Sequence, residues 1–166
     1  MPLTARDIMT TEPVEVSPDT PASDLAEIMV EHETVAVAVV DEQKRFMGLV
    51  TERDLLDRNK QLHIPTLITI FDAVIPLEGV RRFDADLKKL TATNAGDLAN
   101  PEMPCVNPDA PFDTVATVMS ERGVDVLPVV QGERLLGIID QQDILRAIIA
   151  IRRGYSKPPQ AKKGRS

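Results

Sequence analysis

Apolar residues recur in two rhythms along this chain, and each rhythm appears twice. Leu25, Ile28 and Met29 fall at helical spacing, as do Phe112, Val115, Ala116 and Met119. This predicts two amphipathic helices, each with one buried face. A β-rich run follows each helix, Val35 to Val40 in one case and Val124 to Val130 in the other. Polar turns, Asp41 to Arg45 and Gln131 to Glu133, then lead into second short strands, Phe46 to Val50 and Leu135 to Ile139. Beyond Thr51 and Asp140 the chain enters another helix, from Leu55 onward and from Ile144 to Ile151. A Pro-Asp-x-Pro step, Pro18 to Pro21 and Pro108 to Pro111, precedes each first helix. It supplies a turn and a helix start, with Asp or Thr as caps and Pro near the first turn.

The two stretches are copies of one unit. A shift of 90 positions aligns Asp7 with Asp97, Val16 with Val106, Pro18-Asp19 with Pro108-Asp109, Met29 with Met119, and Val39-Val40 with Val129-Val130. One residue is lost in the second hairpin, so the shift becomes 89 and aligns Gly48, Asp54 and Leu56 with Gly137, Asp143 and Leu145. Ordered matches spread over a whole unit mark an internal duplication, each copy reading β-α-β-β-α.

Composition narrows the chemistry. The 166 residues include no Trp, one Tyr and four Phe, so the core is built from aliphatic side chains and base-stacking surfaces are scarce. The single cysteine, Cys105, excludes an internal disulfide and fits a reduced cytoplasmic compartment. It lies in an apolar, strand-like segment and reads as a small buried residue. No Cys/His cluster has metal-ligand spacing, no Gly-rich phosphate loop is present, and with only His32 and His63 no catalytic triad is legible. His32 is expected on the exposed face of the first helix. A non-enzymatic protein is expected.

Charge is distributed unevenly. Residues 152–166 carry six basic residues and no acidic one, so the net charge of −7 conceals a more acidic body. An acidic body repels nucleic acid and anionic membrane, and the basic tail reads as disordered and solubilising, with nonspecific nucleic-acid contact the alternative. The first ten residues lack the apolar run of a signal peptide, and Leu62 to Val80 is too interrupted to span a bilayer.

The Pro-Asp-x-Pro steps, the helix methionines, Pro128-Val129-Val130 and Gly48-Leu49-Val50-Thr51-Glu52-Arg53-Asp54 together resemble the CBS domain, and the tandem resembles a CBS pair, or Bateman module. The resemblance implies an α+β fold in which two repeats, residues 1–56 and 94–151, pack about a pseudo-twofold axis, with a helical insert at 57–93 and the tail at 152–166. It also implies two clefts for adenosine-containing ligands such as AMP, ADP or ATP. One would use Thr51, Arg53 and Asp54 with Met103, Pro104, Val124, Asp125 and Val126. The other would use Asp140, Gln142 and Asp143 with Pro13, Val14, Thr34, Val35 and Ala36. Each Asp of the Thr-x-x-Asp pattern would take the ribose diol, and a hydroxyl at a helix start lies beside N–H groups that attract anions.

The clefts are not equivalent. Thr51 and Arg53 suit phosphate, whereas Asp140 should repel it, so the first cleft is expected to hold a nucleotide and the second to stay empty or take an uncharged or cationic derivative. Asp125, lining the favoured cleft, would weaken a polyphosphate. Thr51 and Asp54 also read as a capping box for the following helix, and Arg53 as a surface charge.

The insert contains a dense apolar stretch, Leu62 to Leu77, expected to be helical between Pro65 and Pro76, then a charged helix around Phe83 to Leu90. It reads as a fold-over on its own module or as an oligomer contact; the resemblance implies a homodimer. With no effector domain in view, a separate effector protein would carry the output.

Overall fold

The computed structural model describes residues 2–61, 93–155 and 158. The apolar insert helix, the charged helix after it and most of the basic tail lie outside the described residues. The first repeat contains α1 (Ala5–Ile8), β1 (Thr10–Thr11), β2 (Glu15–Val16), α2 (Ala22–Glu31), β3 (Ala36–Val40), β4 (Phe46–Thr51) and α3 (Glu52–Gln61). The second contains α4 (Ala95–Leu98), α5 (Phe112–Arg122), β5 (Val126–Gln131), β6 (Arg134–Asp140) and α6 (Gln141–Arg152).

The duplication is visible in the ladders. β2 runs parallel to β3 with Val16 opposite Val39, and Val106 makes the matching parallel bridge to Val129. Antiparallel hairpins β3–β4 and β5–β6 follow, each with a register shift at the same place, between Val39 and Val40 and between Val129 and Val130. Leu25, Met29, Val37, Val39 and Val50 bury against one another in the first repeat, and Val115, Met119, Leu127, Val129 and Ile139 in the second. A third apolar cluster, Ala36, Ala38, Leu49, Val126 and Ile138, joins the inner faces of the two sheets. Side chains on successive strand positions point to opposite faces, so a fully buried strand such as β3 feeds its own helix layer with one set and the inter-repeat seam with the other.

The repeats are not self-contained: each lends its leading segment to the other. Leu3, Ala5, Ile8 and Met9 bury in the second repeat's core, and Ala95 in the first's. The backbone bonds are symmetric. Ala5 and Arg6 donate to the carbonyls of Ala110 and Pro108, while Ala95 and Gly96 donate to those of Thr20 and Pro18. In return, Phe112 donates to Leu3 and Ala22 to Thr93. This explains a departure from the expected caps. Pro21 and Pro111 occupy the N-cap positions of α2 and α5 with no side-chain cap, because the first free N–H of each helix is satisfied by the other repeat's leader.

β1 also crosses over, pairing antiparallel with β6 so that Thr11 stands opposite Gly137. A Cβ on Gly137 would lie 2.6 Å from the Thr10 carbonyl oxygen, and one on the twin Gly48 would lie 2.8 Å from that of Asn100. Both glycines make room for the other repeat's leader. Cys105 corrects another expectation: it is exposed. Its neighbour Val106 takes the inward position of the extended segment, which turns Cys105 outward. His32 is exposed, as expected, at the C-cap of α2.

Candidate functional site

Each hairpin ends where a helix begins, so β4–α3 and β6–α6 present two helix N-termini at the seam between repeats. The expected cap forms at both. The Thr51 N–H and hydroxyl donate to Asp54 Oδ2 at 2.8 and 3.0 Å, and the Asp54 N–H approaches Thr51 Oγ1 at 3.4 Å. In the twin, the Asp143 N–H donates to Asp140 Oδ1 at 2.9 Å and the Asp140 N–H to Asp143 Oδ2 at 3.1 Å. A reciprocal cap of this kind satisfies two orphan donors and fixes where the helix starts.

Between the two N-termini lies one continuous cleft of about 910 Å³. It draws Thr51, Arg53, Asp125 and Val126 from the first predicted set and Val35, Asp140 and Gln142 from the second. Glu52, Gln141, Leu56 and Asp57 complete the wall. These four went unpredicted, although Glu52 and Gln141 directly follow the caps, and Leu56 and Asp57 stand one helical turn beyond Arg53, on the same face.

The other predicted residues stand off the wall. Asp54 is half-buried behind Thr51, and Asp143 is buried. Met103 packs at the inter-sheet seam, where its sulfur lies 3.3 Å from the Leu49 nitrogen. Val124 packs against the second core and Val14 against the first, the Val14 carbonyl accepting from Ala38. The Thr34 hydroxyl donates to the Ala36 carbonyl at 2.9 Å, and Ala36 itself is buried in the seam. Pro13 and Pro104 are half-buried in the segments leading to β2 and to Val106.

The electrostatics of the two ends differ. Arg53 Nη2 lies 2.8 Å from Asp125 Oδ2, and Gln141 Nε2 donates to Asp125 Oδ1 at 2.9 Å. At the opposite end Asp143 accepts from Arg146 Nη1 at 2.7 Å and lies 3.4 Å from the Thr10 hydroxyl. Burial pushes the Asp143 carboxyl up to about 6, the Asp140 charge adds to the rise, and the Asp140 N–H, Arg146 and Thr10 oppose it. Among the described residues no group of His, Cys, Asp and Glu is placed to hold a metal ion, and no helix is long and apolar enough to cross a membrane.

Comparison with known proteins agrees with this architecture. Over 143 residues the chain is 29% identical to Hypoxic response protein 1 of Mycobacterium tuberculosis, covering 86% of this chain and 83% of that protein. It is 28% identical to the chloroplastic CBS domain-containing protein CBSX1 of Arabidopsis thaliana, covering 83% of this chain and 60% of the relative. The crystal structure of CBSX2 in complex with AMP superposes with a TM-score of 0.68 at 25% identity, covering 90% of this chain and 98% of that one. The CBS domain pair of protein MJ0100, in complex with 5′-methylthioadenosine and S-adenosyl-L-methionine, shares the fold with a TM-score of 0.68 at 19% identity, covering 91% and 99%. Residues 5–60 and 95–150 each match the CBS domain family. The chain therefore belongs to that family, with two copies of the domain facing one another across the cleft.

Proposed function

We propose that this chain is a non-enzymatic regulatory module that binds an adenosine nucleotide at the Thr51–Asp54 end of the cleft between its repeats. The carrying observation is the contrast between the two carboxylates. The bonds Asp54 accepts within its cap all fall on Oδ2, whereas both oxygens of Asp143 are engaged and one is ion-paired. Asp54 stands just behind the wall with Oδ1 outside the cap bonds, so a ribose diol seated beside Thr51 would reach it, and the Thr51 and Arg53 side chains on the cleft wall suit phosphate. The AMP complex of CBSX2 supports the ligand class.

Regulation then requires a ligand that prefers one of two arrangements of the repeats, which the shared seam would transmit. A homodimer is the assembly this reading favours. Leu56 on α3 and Leu145, Ile148, Ile149 and Ile151 on α6 are exposed, an apolar face that a second copy would cover. A separate effector protein receives the output, in a reducing, cytoplasmic setting that suits the exposed Cys105.

Titration calorimetry and thermal shift with AMP, ADP, ATP and S-adenosylmethionine test the binding. Saturable binding is expected, weakened about tenfold or more in Asp54→Ala by loss of charge-assisted hydrogen bonds. Absence of heat and of any melting shift with all four would end the sensor reading in favour of a structural, protein-interaction module with degenerate clefts.

A further inference from the structure

A phosphate entering the Thr51 end of the cleft meets a guanidinium that is already engaged. Arg53 Nη2 and Asp125 Oδ2 are 2.8 Å apart, and the pair links the start of α3 in the first repeat to the residue preceding β5 in the second. Asp125 is steadied from its own side by Gln141, 2.9 Å away. The two side chains are 61% and 40% exposed, so the ion pair is a weak one that an incoming anion can open. The duplication makes its one-sidedness plain. By the shifts of 89 and 90, the twins of Arg53 and Asp125 are Gln142 and Val35, which carry no charge. Among the described residues on the cleft wall, the carboxylates Glu52, Asp125 and Asp140 accompany a single guanidinium.

We propose that Asp125 sets how many phosphates the ligand carries. It stands on Arg53 as an internal substitute for a phosphate, so the cleft takes adenosine bearing one phosphate or none and rejects the di- and triphosphate. This rests on the reading of the cleft as an adenosine-nucleotide site. The first phosphate exchanges one anion for another on Arg53 and gains little. Every further phosphate brings negative charge among carboxylates with no second described cation on the wall to meet it, a repulsive element that discriminates between otherwise similar ligands. At separations of several ångströms and the effective dielectric of a part-exposed site, one added charge corresponds to about tenfold in dissociation constant.

The test is calorimetric titration of the full chain in magnesium-free buffer with adenosine, AMP, ADP and ATP, for the native protein, Asp125→Asn and Arg53→Gln. The native protein should weaken about tenfold from AMP to ADP and again to ATP. Asp125→Asn keeps an acceptor for Gln141 but releases Arg53. It should tighten AMP about tenfold and ATP by more, flattening the series. Arg53→Gln leaves the Asp125 carboxylate unpaired beside the phosphate and should drop AMP below adenosine. Native protein that binds ATP as tightly as AMP, or an Asp125→Asn series parallel to the native one, overturns this proposal and leaves the nucleotide site standing. If none of the four compounds binds any of the three proteins, the nucleotide reading fails and this inference with it.

Discussion

The helix starts at Thr51 and at Asp140 are the same structure built twice, and they do different things with it. In both, the residue three positions on turns its carboxylate back to cap the helix. In the first repeat the cap is a hydroxyl beside Arg53, and Asp54 stays half-buried. In the second repeat the cap is itself a carboxylate, and Asp143 is buried between Arg146 and Thr10. The residues at the equivalent positions around the first cap, Asp57 for Arg146 and, from the second repeat's leader, Asn100 for Thr10, cannot build the same ion pair. A cap satisfies backbone N–H groups whichever residue supplies the oxygen, so duplication preserves the backbone while the side chains around it are free to diverge. One end keeps a hydroxyl and a guanidinium on the cleft wall, while at the other the carboxylate is tied up inside the fold.

The helices that leave these caps diverge as well, and the largest expected effect lies there. The twelve-residue α6 exposes Leu145, Ile148, Ile149 and Ile151, whereas the described side chains of α3 beyond Arg53 expose only Leu56 among their large apolar residues. If this face seals a dimer, the double variant Ile148→Glu with Ile149→Glu should sediment as a monomer at concentrations where the native chain is dimeric. The cost is that of burying two unpaired charges at an interface, on the order of a hundredfold or more in dissociation constant. A native chain that is monomeric, or a variant that still dimerises, would move the contact elsewhere.

The exchanged leaders sharpen the comparison next. Gly48→Ala and Gly137→Ala should each destabilise by about 2–4 kcal/mol in chemical denaturation, because at each site the new methyl group meets a backbone carbonyl of the other repeat's leader. Gly48 should be the worse of the two. Its φ of +144° is closed to other residues, while the obstruction at Gly137 includes the flexible Met9 side chain as well as the Thr10 carbonyl. Equal and small effects would mean that the leaders detach readily from the hairpins.

The smallest effect comes from Asp143. With its folded-state value raised to about 6 from an ordinary 3.8, the native protein holds this proton more tightly than the unfolded chain. Its contribution is therefore fully present below the ordinary value and is lost as pH rises through about 6. Relative to Asp143→Asn, the native chain should gain on the order of 1–2 kcal/mol as pH falls from about 7 to about 4, read from paired melts. A pH-independent difference would show that Arg146 and Thr10 hold the carboxylate ionised in its buried place.

Much of this was legible from the residues in order. The helical spacing of Leu25, Ile28 and Met29 and the unbroken apolar run before Asp41 place α2 and β3 without any tertiary information, because each is a periodicity contained within a dozen residues. The repeat did the rest locally. Two copies that agree at Pro18 and Pro108, Gly48 and Gly137, and Asp54 and Asp143 define one unit, and the substitution of Asp140 for Thr51 marks the copies as unequal.

What the chain order could not reveal is who partners whom. Thr10 and Asp143 lie 133 positions apart, and nothing near either residue records that they meet. The exchange of leaders was hidden for the same reason, since the N–H groups of Ala22 and Phe112 find acceptors at Thr93 and Leu3, remote in sequence. So was the bringing of residues from both expected sets onto one cleft wall, and the pairing of Arg53 with Asp125, which only the approach of two helix starts across the seam brings within 2.8 Å. Periodicity, duplication and charge are properties of the chain alone. Which carboxylate is buried, and which guanidinium is already occupied, depends on distances that exist only once two repeats have closed on each other.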